Sequence, residues 1–193
     1  MNSVQNFDNE IFFFFNHTLH GGFFNALMPL WRSMYFWFPL YVFAISYLVF
    51  NYGKKGWILL LALALTVGVS DTVSSKLIKK NVKRPRPCND ETMKYQVKLL
   101  VKCGSGYSFT SSHATNHFAV ASFFIFTLFR RNKWAKIGLI TWASTISLGQ
   151  IFVGVHYPSD VLGGGFLGFS IGWFMFYLFK KYFPTQQILT VSA

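Results

Sequence analysis

Apolar residues in this chain gather into long, nearly unbroken blocks separated by short polar segments. A helix needs about 20 such residues to cross the hydrocarbon core of a bilayer. Five blocks predict spans, over 34–52, 57–78, 114–129, 137–155 and 160–183. An earlier segment, 11–31, opens on the run Phe12 to Phe15 but is broken by Asn16, His17, Gly21, Gly22 and Pro29. Those interruptions predict an interfacial or re-entrant helix pair, with a sixth, short span as the competing reading. The expected fold is all-α. It is a polytopic transmembrane helical bundle of five to six spans, one domain over 1–193 with 1–33 as its interfacial segment.

Composition supports the membrane reading. Hydrophobic residues make up 52% of the chain and charged residues only 12%, where soluble domains carry about 25% charge. The formal charge of +12 would suggest nucleic acid in a soluble protein. Here the bases are split up by apolar blocks, which excludes nucleic acid and points to loop anchoring and to anionic lipid or phosphate ligands. The first Lys or Arg is Arg32, and Asp8 and Glu10 precede the first apolar run. That order is the reverse of a cleavable signal peptide.

The polar connections alternate between two faces. Residues 52–56, 130–136 and the end at Lys180 and Lys181 share one; 79–113 and 156–160 share the other. Lys and Arg divide almost evenly between the faces, so the positive-inside rule alone does not orient the chain. The second face, however, gathers its bases into one loop with a chemical reason to be basic, which leaves the first face cytoplasmic. Cys88 and Cys103 both fall in that loop; an oxidising compartment would pair them, a reducing one would leave two thiols. In the last span Gly164, Gly168 and Gly172 recur every fourth residue. This spacing lets helices approach closely, and packing inside the bundle is favoured over a dimer seam.

Three polar clusters on the second face carry candidate chemistry. In the first, Lys79 to Pro87, two prolines stiffen a run of bases. Arginine forks there match phosphate oxygens in pairs, although a juxtamembrane basic run also serves as a lipid anchor. In the second, Thr110-Ser111-Ser112-His113, Ser111 or Ser112 is a natural N-cap. The N–H groups of the turn that follows form an anion site beside His113. In the third, Gln150 to Asp160, His156 and Asp160 lie four residues apart across a turn containing Pro158. The carboxylate is placed to hold one imidazole nitrogen and free the other for attack; an interfacial His beside a helix-capping Asp is the bland alternative. Phosphoryl transfer needs charge stabilisation, an in-line nucleophile and a proton for the leaving oxygen. Together the clusters offer all three.

These clusters resemble the three signature motifs of the type-2 phosphatidic acid phosphatase superfamily, whose soluble relatives include vanadium haloperoxidases. Lys79, Arg86 and Pro87 match the first, Lys, six residues, Arg-Pro. Thr110, Ser111, Ser112 and His113 match Pro-Ser-Gly-His, and Gly149, Gln150, His156 and Asp160 match Ser-Arg, five residues, His, three residues, Asp. The segment from Asp8 to Trp31 also looks like the family's N-terminal region. The resemblance implies a bacterial inner-membrane phosphatase with its site on the extracytoplasmic face and no cofactor or metal. His156 would be the nucleophile, Asp160 its orienting group and His113 the acid, through a phosphohistidine. Lys79, Arg86, Ser111, Ser112 and Gln150 would bind phosphate. The partners implied are a lipid phosphate substrate and the bilayer. A polyprenyl diphosphate such as the undecaprenyl carrier is the favoured substrate, with phosphatidylglycerol phosphate, phosphatidic acid and lipid A phosphate as alternatives.

Two departures stand out. Thr110 and Ser112 replace Pro and Gly, and Gln150 stands where the family has arginine. Lys80, Lys83 and Arg84 are the candidates to restore the missing charge. A lipid-phosphate-binding subunit with weak catalysis is the reading that Gln150 favours. Asp71, inside the second span, is assigned to interhelical bonding. His117, one turn beyond His113, could join His156 and Asp160 in a metal site, a weakly specific pattern.

Overall fold

The structure is a computed structural model and describes residues 3–183; positions 1–2 and 184–193 of the expected domain lie outside them. Among the described residues every regular element is helical. Two short helices, α1 (Ser3–Phe13) and α2 (Gly22–Trp31), flank a π-helical turn. Neither is long and apolar enough to cross a membrane, and the break falls at the polar residues that predicted it. Next come α3 (Met34–Tyr52) and α4 (Lys54–Thr72), hinged at Gly53, whose φ of +53° suits a residue without Cβ. A π-helical turn over Val73–Ile78 leads α4 into the single turn α5 (Lys79–Val82).

After the 83–111 loop come α6 (Ser112–Thr127), α7 (Lys133–Phe152) and α8 (Pro158–Tyr182). Each lies within four residues of its expected bounds. Among the described residues, three stretches are long and apolar enough to span by length and composition: Met34–Tyr52, Lys54–Asn89 and Pro158–Tyr182. At 1.5 Å per residue α6 is only about 24 Å long, and its eight buried residues mark it as the bundle's centre.

The α6–α8 seam explains the glycine spacing. A Cβ on Gly164 would come within 2.7 Å of the Ser111 carbonyl oxygen. On Gly168 it would collide with the Thr115 carbonyl, and on Gly172 with Ser122 Oγ and the Ala119 carbonyl. The stripe therefore seats α8 on α6 inside the bundle and sets the start of α8 beside the start of α6. The 83–111 loop folds over this end. Its Cys88 and Cys103 form a disulfide. Asn16, fully buried, ties the loop down by donating to the carbonyls of Lys98 and Phe152 and accepting from Lys98 N–H.

Candidate functional site

The three clusters meet at one end of the bundle. There the end of α4–α5, the start of α6, the end of α7 and the start of α8 surround a cavity of about 570 Å³. Lys79, Arg86, Ser112, His113, Gln150 and His156 line it, with the exposed Lys80 and Lys102 beside them.

His156 lies in the turn between α7 and α8. Gly154 makes that turn with φ +86°, and a Cβ there would strike Val97. The imidazole is almost fully buried. Its Nδ1 faces Asp160 Oδ2 at 3.4 Å, and its Nε2 faces Arg86 Nη1 at 3.3 Å. Burial pushes its pKa down to about 4, opposed by the Asp160 carboxylate, so the ring is neutral at pH 7.

Asp160 is completely buried and held on both oxygens. Oδ2 also accepts from the Tyr157 N–H at 2.8 Å, closing the first turn of α8, while Oδ1 accepts from Arg84 Nη1 at 2.9 Å. The other side of Arg84 reaches Asp8 Oδ2 at 2.6 Å, and its guanidinium lies over the Tyr157 ring. Asp8 in turn accepts from the N–H of Ser159 at 2.8 Å. Arg84 is therefore committed behind the site, and Lys83 does not line the cavity. Of the three candidates for the missing charge, Lys80 alone lines it.

At the start of α6, Ser111 is the N-cap, fully buried, its hydroxyl accepting from Ala114 N–H. The N–H groups of Ser112 and His113 are left without intrahelical partners, as the first turn of any helix requires. The Ser112 hydroxyl lines the cavity beside Ser75, 3.0 Å away, while Ser111 lies behind it. His117 Nδ1 bonds the His113 carbonyl at 2.8 Å, and its ring packs on Trp142. Among the described residues no three His, Cys, Asp or Glu side chains are arranged to hold a metal. Asp71 accepts from Ser75 and from Asn116 of α6, the interhelical role expected of it, on an exposed face of α4.

Lys79, nearly buried, enters the cavity from the turn after the π-helical segment. The Arg86 guanidinium is pinned by the Gly106 carbonyl at 2.9 Å and lies flat on Gly104, where a Cβ would sit 3.3 Å from its Cζ. Gln150 is fully buried; its amide nitrogen donates back to the Ile146 carbonyl, and its oxygen accepts from Arg32 Nε at 3.0 Å. Arg32, in the link between α2 and α3, lines the cavity too.

Sequence reasoning missed both Arg32 and Asp8 as parts of this end. The available signal was Arg32's isolation: it stands alone among the first 53 positions as a Lys or Arg, at a break between apolar blocks.

The PAP2 superfamily profile matches residues 55–184. A lipid A 4'-phosphatase of Bacteroides thetaiotaomicron is 30% identical, covering 92% of this chain and 79% of its own length. The undecaprenyl-diphosphatase BcrC of Bacillus subtilis is 35% identical over 58% of this chain and 54% of its own. In structure, a transmembrane PAP2-type phosphatidylglycerolphosphate phosphatase from Bacillus subtilis superposes with a TM-score of 0.66 at 25% identity, covering all of this chain and 90% of that one. A match over two thirds of the chain, on a bundle that carries the three motifs at one end, makes this protein a member of the PAP2 superfamily and an integral membrane phosphatase.

Proposed function

We propose that this protein cleaves a phosphate from a lipid A-type glycolipid through a phosphohistidine intermediate. The observation that carries the mechanism is His156 itself. Its Nδ1 is held by a buried carboxylate, and its Nε2 opens into a cavity rich in cations. Arginine donates but cannot accept, so the Arg86 contact makes Nε2 the acceptor and puts the ring proton on Nδ1, toward Asp160.

In the first step the Nε2 lone pair attacks phosphorus and the bond to the lipid oxygen breaks. That oxygen takes the bond's electrons and a proton from His113, whose imidazolium form the bound phosphate anion stabilises. Lys79, Arg86 and the first-turn N–H groups of α6 stabilise the charge on the non-bridging oxygens. In the second step water attacks phosphorus and gives its proton to His113; the N–P bond breaks and phosphate leaves. Asp160 holds the Nδ1 proton and stabilises the cationic phosphohistidine throughout.

The choice of lipid rests on the similarity, over 92% of this chain, to a relative named a lipid A 4'-phosphatase. A polyprenyl diphosphate, the favoured expectation from sequence, is the second reading and is supported by the similarity to BcrC over part of the chain. The five helices α3, α4–α5, α6, α7 and α8 would span the membrane with the site at the extracytoplasmic end. The disulfide in the loop above it favours that side, because such bonds persist in oxidising compartments.

The test is phosphate release by purified protein in detergent with chelator, from lipid A, undecaprenyl diphosphate, phosphatidylglycerol phosphate and phosphatidic acid. Fastest release from lipid A, lost in His156→Ala, supports the proposal. Faster release from undecaprenyl diphosphate selects the second reading. No release from any of the four by folded protein would sink both.

A further inference from the structure

The cavity lacks the arginine that the third motif ordinarily supplies, and Gln150 does not fill in for it. Both ends of its amide are occupied, by the Ile146 carbonyl and by Arg32. Arg32 arrives from a different element, the α2–α3 link, and packs its Cβ over Gly149, where a Cβ would stand 3.8 Å away. Only Nε of its guanidinium is engaged; Nη1 and Nη2 hold no hydrogen bond among the described residues. The group lines the 570 Å³ cavity with Arg86 and His156. It also lines a second cavity, of about 370 Å³, which runs between α2, α3 and α6 past Pro29, Met34, Tyr41 and His113. Arg32 and His113 thus stand together where the two cavities adjoin.

From this geometry we infer that Arg32 is a catalytic residue that binds the transferring phosphoryl group on its leaving-group side, with Gln150 as the residue that positions it. The motif-three cation has been moved off α7 onto the N-terminal segment, and the position it left has become its socket. A guanidinium fork offers two parallel N–H donors to one phosphate. Bonding through Nε to Gln150 fixes the plane of that fork while leaving both Nη groups to face the anion. Burial foremost, and then the nearby Arg86, lower the Arg32 pKa, a cost to its charge that an entering phosphate relieves.

The inference rests on the phosphatase reading for its catalytic part, so the experiment has one arm that needs turnover and one that does not. In the first, phosphate release from lipid A, or from undecaprenyl diphosphate if that is the better substrate, is compared across variants. Arg32→Ala is expected to lower kcat by at least about 100-fold, the usual loss of one charged donor to a transition state. Arg32→Lys should fall between it and wild type. Arg32→Ala combined with Gln150→Arg should regain at least about tenfold over Arg32→Ala alone, since the cation is returned to its α7 position.

The second arm follows the rise in melting temperature caused by inorganic phosphate. Wild type should show it, Arg32→Ala should largely lose it, and the double variant should recover it. Gln150→Leu, which keeps Arg32 but removes its socket, should show a smaller phosphate-induced rise while melting close to wild type without phosphate. Arg32→Ala within about threefold of wild type in kcat, or an undiminished phosphate shift in that variant, overturns the inference. So does a double variant that folds and regains neither activity nor phosphate binding. Wild type inactive on every lipid, yet stabilised by phosphate through Arg32, would refute the phosphatase reading and leave the phosphate contact standing.

Discussion

Arg86 Nη1 sits 3.3 Å from His156 Nε2, so the atom proposed to attack phosphorus is capped by a residue proposed to bind phosphate. The two groups need a common partner to separate them, and an anion entering between them is that partner. Replacing Arg86 by Ala should therefore cost in two ways, losing a phosphate contact and unsettling the tautomer. We expect kcat/KM for the lipid substrate to fall by at least about 100-fold, with Arg86→Lys recovering only part of it, because a point charge lacks the fork.

His156 gives a pH signature. A nucleophilic imidazole must be neutral, and the fraction that is neutral falls as pH drops through its pKa. Burial lowers that pKa to about 4, so the acid limb moves down from the ordinary histidine value near 6.5. A carbon-13 histidine titration in detergent, with His156 assigned by His156→Gln, should show this ring still neutral at pH 5.5. A midpoint at 6.5 would contradict the buried setting.

His113 can be tested through the leaving group. General acid catalysis is worth about 10²–10⁴-fold when the departing oxygen needs a proton. His113→Ala should lose that much on a lipid ester but about tenfold or less on an aryl phosphate whose phenolate departs unaided. Equal losses on both would assign His113 a different role.

Both carboxylates of the Asp8–Arg84–Asp160 bridge are fully buried and Arg84 partly so, and breaking a buried pair from one side costs at most about 3–5 kcal/mol. Asp8→Asn should lower the melting temperature and reduce kcat through a loosened Asp160, with KM little changed. A drop in stability with kcat intact would separate the bridge from the chemistry.

Closing a loop of this size by a disulfide is worth roughly 3 kcal/mol, and Cys103 adjoins the Gly104 on which Arg86 lies. Cys88→Ser with Cys103→Ser is expected to weaken phosphate binding and lower kcat/KM before the bundle melts. Activity that is insensitive to the pair would mean that the Gly106 and Val155 carbonyls hold Arg86 in place without the disulfide.

Much of this was legible in the chain. Helices α3, α4, α6, α7 and α8 follow from the apolar blocks, whereas the turn α5 falls where the loop was expected, and the α1–α2 break follows from Asn16, Gly21 and Gly22. His113, His156, Lys79 and Arg86 declare themselves by motif spacing at block ends. What could not be read is contact between distant positions. Asp8 meets Ser159 across 151 residues, and Arg32 meets Gln150 across 118; no local periodicity encodes either. Ser111 and Ser112 were distinguishable only once the helix start was fixed, since a shift of one residue, about 100° of rotation, decides which hydroxyl caps and which faces the cavity. Arg84 looked like a phosphate ligand because sequence shows its charge and not its direction.

The bond between Asp8 and Ser159 has a temporal meaning as well. Helix α1 supplies the carboxylate that helps lock α8, whose Ser159 is made 151 residues later, so the proposed nucleophile gains its full support only when these two distant segments have met. A partly inserted or truncated chain would carry every motif and still lack a working centre. Phosphate release by this protein would then double as a readout of complete assembly in the bilayer.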